Sequence, residues 1–172
     1  MQSPSAAGRT VRIAPFADLS GATVHDIAKL RVDVFVVEQD CAYAELDGRD
    51  TEPATRHLWV ERDGDVLAYL RVLDDGPCLR VGRVVTRRDS RGRGLAAGLI
   101  EAALDHCGTR RPVELSAQAH LERWYARWGF VASGAPYDEV GILHVPMRRP
   151  PATTSVGSAG PASEASHPGG GR

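Results

Sequence analysis

Leu79-Arg80-Val81-Gly82-Arg83-Val84-Val85-Thr86-Arg87-Arg88-Asp89-Ser90-Arg91-Gly92-Arg93-Gly94-Leu95-Ala96 is the stretch on which the reading of this chain turns. Leu79 to Thr86 follows the turn Asp74-Asp75-Gly76-Pro77 and reads as a strand. A helix follows, from about Gly92 to Cys107, with Leu95, Leu99, Ala102 and Ala103 on one face beside Ile100, Leu104 and Cys107. Between them lies Arg91-Gly92-Arg93-Gly94-Leu95-Ala96. A strand that passes through such a loop into a helix makes an anion site, because the first helical turn has unpaired N–H groups and a partial positive charge. Gly92 and Gly94 let the backbone approach an anion, since a Cβ there would take up the phosphate's space. Arg91 and Arg93 add charge-assisted hydrogen bonds. Without the glycines, the run Arg80, Arg83, Arg87, Arg88, Arg91 and Arg93 would read as a solvated basic edge.

Outward from this stretch the elements follow in order. Thr10 to Phe16 alternates like a half-buried strand. Thr23 with Asp26 has the spacing of a capping box, and Val24, Ile27, Arg31 and Val34 carry a helix through about Val37. Asp40 to Arg56 reads as a long charged loop. His57–Glu61 and Val66–Leu73 form a hairpin through Asp63-Gly64. Pro112 to Ala117 is a strand, Ala119 to Trp128 a helix stopped by Gly129, and Phe130–Ser133 and Gly141–Arg148 the last strands. The order predicts an α/β (α+β) domain, a mixed sheet covered by helices. It spans residues 10–149, between a small, polar N-terminus (1–9) and a Pro/Gly/Ala/Ser-rich tail (150–172) that cannot offset its ordering entropy.

The bulk numbers bound the function. With 172 residues, 42% apolar and 25% charged, the chain is an ordinary globular protein of one domain. A formal net charge of -1 gives no reason to expect nucleic-acid or membrane-surface binding. Cys41, Cys78 and Cys107 have no metal-ligand spacing, so no metal is expected, and isolated thiols suit a reducing, cytoplasmic setting. No apolar run approaches the ~18 residues of a membrane span.

The spacing Arg91-x-x-Gly94-x-Ala96 resembles the pyrophosphate-binding signature of the GCN5-related N-acetyltransferases (GNAT). Gly82-Arg83-Val84-Val85-Thr86 sits where that family places its cofactor strand. Gln118 to Phe130, with Tyr125 ahead of Gly129-Phe130, resembles the family's tyrosine-bearing helix. The run Leu30 to Gln39, then Cys41, Tyr43, Glu45, Leu46 and Asp47-Gly48, is similar to ElaA-type members, and the likeness spans roughly Val11 to Met147. The resemblance implies the GNAT fold, a mixed and mostly antiparallel central sheet flanked by helices. It also implies acetyl-CoA as acyl donor and direct transfer to a primary amine with both substrates bound.

The same resemblance implies the roles. Val84, Val85 and Thr86 hold the acetyl carbonyl and pantetheine arm. Arg91, Gly92, Arg93, Gly94, Leu95 and Ala96 hold the pyrophosphate, and Gln118 and Tyr125 also contact the cofactor. Tyr125 protonates the departing thiolate; its other reading is a core aromatic beside Trp124 and Trp128. The base is chosen from Glu38, His120 and Glu114, with His120 and Glu38 preferred because they lie in the segments carrying the likeness. His57 and His144 read as strand histidines with structural hydrogen bonds. A non-catalytic acyl-CoA sensor is the alternative, and a P-loop hydrolase is disfavoured because no Gly-Lys-Ser/Thr follows the glycines. The acceptor, and whether the chain forms a homodimer, stay open.

Overall fold

The computed structural model describes residues 10–152. The elements are β1 (Val11–Ala14), α1 (Gly21–Arg31), β2 (Arg56–Arg62), β3 (Asp65–Asp74), β4 (Leu79–Thr86), α2 (Leu95–Cys107), β5 (Val113–Gln118), α3 (Glu122–Ala126), β6 (Val131–Ala132), β7 (Tyr137–Glu139) and β8 (Ile142–Arg149). One sheet has the order β1-β2-β3-β4-β5-β8-β6, with β7 also on β8. Every pairing is antiparallel except β4 with β5. The expected mixed, mostly antiparallel sheet is what forms, with helices on both faces. One apolar cluster lies under α2 and holds Leu58, Leu70, Leu99 and Ile100; a smaller one lies under α1 and holds Ile27, Leu30, Trp59 and Tyr69.

Several local expectations are corrected. The cap of α1 is Ser20, whose side chain accepts from the Thr23 N–H at 3.0 Å, so the cap precedes the Thr23-x-x-Asp26 box. The helical path does continue past Arg31 to Glu38, but as a π-helix of β-branched residues. Helix α2 starts at Leu95 and not Gly92, because Gly92 and Gly94 take φ of 72° and 74°. The helix after Gln118 begins as a 3-10 turn, Ala119–Leu121. Strand β7 went unread, being three residues long. The N-terminal segment 1–9 and most of the expected tail lie outside the described residues. Within the described part of that tail, Ala152 N–H donates to Thr109 O at 2.9 Å.

Two features of β4 open the sheet. Tyr69 pairs with Val85 and Arg71 with Gly82, so β4 carries one residue more than β3 between these pairs. This is a β-bulge, and Arg83 sits in it with φ of 56°. The extra residue reverses which face each side chain takes. Leu79 and Val81 pack in the α2-side core, whereas beyond the bulge Val85 packs in the α1-side core and Val84 turns back toward α2. The parallel seam with β5 is also short: only Leu79↔Val113 and Arg80↔Glu114 pair. Past Arg80 the strands diverge, while β5 stays paired to β8 as far as Gln118↔His144. The wedge left between β4 and β5 is the site.

Candidate active site

The wedge opens into a cavity of about 860 Å³ that runs from the glycine loop between β4 and α2 to the β7–β8 turn. Val84, Val85, Thr86, Arg91, Gly92, Gly94, Leu95, Ala96, Gln118, His120 and Tyr125 all line it. Arg93 is exposed on the loop and does not line it; Glu38 does not either. Glu38 faces a separate small groove beside Asp26 and Lys29.

At the loop end, a Cβ built on Gly92 or Gly94 would meet nothing within 4 Å. That space lies before the first turn of α2, whose N-terminal N–H groups have no helical partner. Arg91 does not point its charge into this space. Its Nε donates to Thr86 O at 3.1 Å, and its two terminal nitrogens donate to Glu38 at 2.7 and 2.9 Å. This corrects the expectation for Glu38: the Arg91 guanidinium holds its carboxyl below the ordinary range. A weakened base outside the cavity is badly placed to take a proton there.

Tyr125 is buried against Trp124 and Phe130, with edge-on contacts whose centroids are 4.8 and 6.2 Å apart. Tyr125 is thus a core aromatic, as one reading had it, and it also lines the cavity. Burial pushes its phenol pKa up, so the group stays protonated. His120 sits exposed on the 3-10 turn, and no hydrogen bond, ion pair or ring contact fixes its ring among the described residues. Glu114 is bound by Arg80 and Arg148 at 3.3 and 3.5 Å.

Sequence reading missed the other half of the cavity. On the α1 side it is walled by Cys41, Tyr43, Arg71 and Arg83. These rest on a buried network built from the loop after the π-helix. Arg31 Nε donates to Glu45 at 2.6 Å and a terminal nitrogen to Asp50 at 2.8 Å. Arg71 donates to Asp47 and Asp50, Arg83 Nε to Glu45 at 2.9 Å, and the Tyr43 hydroxyl to Glu45. Burial alone would raise the Asp50 pKa, yet Arg31 and Arg71 together bring it below the ordinary value. The hydrogen bond from Arg71 does the same for Asp47. Three arginines thus meet three carboxylates. Arg83, which holds the strained bulge backbone, is fixed by this network and lies over the Tyr43 ring at 5.6 Å.

The opposite wall comes from β5, β7 and β8. Ser116 and Gln118 share a face of β5 with His144 of β8, since Gln118 and His144 are register partners. Tyr137 of β7 stacks on His144 at 5.9 Å and meets the Ser116 hydroxyl at 2.5 Å. Two contacts close the cavity across the top: Cys41 Sγ to Val140 O at 3.7 Å, and Gln118 Nε2 to Gln39 Oε1 at 3.3 Å. Among the described residues, no group of three or more His, Cys, Asp or Glu is placed to hold a metal ion. No helix among them is long and apolar enough to cross a membrane.

This architecture matches known proteins along most of its length. Residues 23–150 match the family model described as an acetyltransferase (GNAT) domain. A UPF0039 protein of Mycobacterium tuberculosis is 46% identical over 138 residues, which cover 77% of this chain and 88% of that protein. The protein ElaA of Escherichia coli is 35% identical over 139 residues, covering 77% and 91%. Its crystal structure superposes with a TM-score of 0.77, over 83% of this chain and 99% of that one. An acyl-CoA N-acyltransferase of Pseudomonas aeruginosa superposes with a TM-score of 0.79 at 43% identity, again over 83% and 99%. With the bulged β4, the splayed β5 and the glycine loop in place, the chain belongs to the GNAT family of acyltransferases and is of ElaA type.

Proposed function

We propose that the protein is an acetyl-CoA-dependent N-acetyltransferase acting on a primary amine. The observation that carries this is the wedge between β4 and β5, open at one end to the glycine cradle and at the other to a polar chamber. A thioester donor is long and anionic at one end. In this reading its pyrophosphate takes the unpaired N–H groups at the start of α2, and its arm lies along the stretch of β4 that β5 leaves unpaired. Backbone amides of Val84, Val85 and Thr86 then polarise the acetyl carbonyl, worth several kcal/mol where charge develops. Gln118, at the end of β5, lies along the same path. Loop residues Arg91 to Ala96 form the cradle, with Arg91 acting through its backbone and its tie to Glu38. Residues 10–149 form the domain that does this, in the cytoplasm, where the three free thiols stay reduced.

Tyr125 takes the leaving-group role in a sharpened form. Because burial raises its pKa, complete proton transfer from the phenol to a thiolate of unperturbed pKa ~8.5 is uphill. Its hydroxyl is better suited to donate a hydrogen bond to the sulfur as the C–S bond breaks.

Acetyl-CoA incubated with a broad panel of primary amines is expected to release free CoA thiol. Tyr125→Phe should lower kcat roughly 100-fold with little change in acetyl-CoA affinity. Gly94→Glu should abolish acetyl-CoA binding, because a side chain and a negative charge both enter the cradle. Tight acetyl-CoA binding with no turnover on any amine would point instead to a sensor of acyl-CoA. Normal acetyl-CoA affinity in Gly94→Glu would refute the cradle.

A further inference from the structure

Strand β8 carries a histidine whose ring is held so that one nitrogen is left for the cavity. His144 Nδ1 lies 2.8 Å from the carbonyl oxygen of Ile142. A carbonyl oxygen only accepts, so Nδ1 carries the hydrogen, and the neutral ring has its lone pair on Nε2. The Tyr137 ring stacks on the imidazole with an interplanar angle of 26°. Glu139 places a carboxylate 3.7 Å from Nδ1. The ring is thus oriented from one side and lines the cavity with the other. A base held by a carbonyl, with a carboxylate behind it, is the arrangement that lets an imidazole take up a proton and bear the charge.

We propose that His144, and neither His120 nor Glu38, takes the proton from the acceptor amine, with Glu139 and Tyr137 as its positioning residues. This rests on the acetyltransferase reading above. The acceptor arrives as an ammonium; its N–H bond breaks and a proton passes to Nε2, directly or through one water. The freed lone pair forms the C–N bond to the acetyl carbon. The C–S bond breaks, and its electron pair leaves on sulfur, hydrogen-bonded by the Tyr125 phenol. The surplus proton on the new amide nitrogen passes to the sulfur, and His144 returns its own to solvent. The sum is an ammonium and a thioester giving an amide, a thiol and one proton.

The groups facing His144 are consistent with this role. β7 presents Glu139 and Tyr137, and β5 presents the uncharged Ser116 and Gln118. On the far wall, Arg71 and Arg83 are already bound to Asp47, Asp50 and Glu45, and Tyr43 to Glu45. Their charges are answered within that wall, so they do not oppose an ammonium or an imidazolium on this side.

The test uses the full chain, acetyl-CoA and the best amine from the panel. His144→Asn keeps a side-chain N–H near Nδ1 for the Ile142 carbonyl and removes Nε2. The expected result is a fall of about 100-fold in kcat/KM for the amine, with acetyl-CoA affinity and thermal midpoint near wild type. Because only free amine can react once the base is gone, the rate of that variant should rise with pH in proportion to the free-amine fraction, a change of profile from wild type. In His144→Ala, added imidazole should restore part of the rate. A merely structural role predicts lost stability with an unchanged pH profile and no rescue, and that result overturns the proposal. So does a His144→Asn rate within about threefold of wild type, a spread that side-chain truncation alone can produce. Wild type that turns over no amine overturns the acetyltransferase reading itself, which is a distinct outcome.

Discussion

The two walls of the cavity treat their polar groups in opposite ways, and two histidines show the difference, one in the network behind the α1-side wall and one on the β8 wall. His57, on β2 at the edge of the α1-side network, has both ring nitrogens used. Nε2 donates to Asp50 O at 3.0 Å, and Nδ1 accepts from the Tyr69 hydroxyl at 2.8 Å. It is 2% exposed, and burial holds its pKa below the usual histidine value. His144, on the β8 wall, has one nitrogen used and one open to the cavity. Groups that saturate one another build a rigid floor; a group left half-satisfied beside a cavity is free to do chemistry.

The largest expected effect comes from breaking the saturated wall. Arg31→Met leaves Glu45, itself 3% exposed, with a buried charge that has lost its Arg31 partner. Breaking such a buried pair from one side costs about 3–5 kcal/mol, so a denaturant titration should show a loss of that size. A loss below about 1 kcal/mol would mean the network is no better than a surface ion pair.

The same wall sets how stability depends on pH. His57 has a folded pKa below its unfolded value of ~6.5, so its contribution is complete above that pH and is lost as pH falls through the folded pKa. Asp47 and Asp50 are also depressed, and theirs is lost only as pH falls below ~4 and on through their folded values. Stability should therefore decline in two stages on acidification. His57→Gln, which keeps a donor for Asp50 O, should remove the first stage and leave the second.

On the open wall the effects should appear in rate and not in stability. Glu139→Gln should reduce turnover by a few-fold, because its carboxylate is more than half exposed and screened, and should leave the thermal midpoint unchanged. The smallest effect is expected from Glu38→Gln. It frees the Arg91 guanidinium and should shift acetyl-CoA affinity by less than about tenfold while leaving the pH profile of the rate intact. A changed profile there would return Glu38 to the role of base.

The half of the site that was legible in the sequence is the half built by neighbours in the chain. Leu79–Thr86, the glycines at 92 and 94 and the helix after them encode the cradle locally, and their strand bounds hold to the residue. Asp63-Gly64 set the hairpin for the same reason. The α1-side network joins Arg31, Glu45, Asp50 and Arg71, which come together only through the loop's tertiary path. Such a set reads in sequence as a charged loop. The helical path to about Val37 was legible from the spacing that ends at Val34, but its π winding over Val32–Glu38 was not, because the same side-chain spacing serves both windings. His144 was read as structural, and half of that holds. Whether its ring reaches the cavity depends on the register of β8 on β5, and on β7, too short to announce itself.

The bulge at Arg83 makes β4 a strand written in two phases. Before it, odd-numbered residues belong to the α2-side core; after it, Val85 belongs to the α1-side core. Removing a single residue there would be worse than exchanging it. A deletion at Gly82 closes the bulge into an even pleat in which Val84 pairs with Leu70 and Val85 still pairs with Tyr69, so both valines keep their sides of the sheet while the positive-φ kink at Arg83 that shapes the cavity wall is lost. The unit that evolution or an engineer must preserve at this position is a residue count, not a residue type.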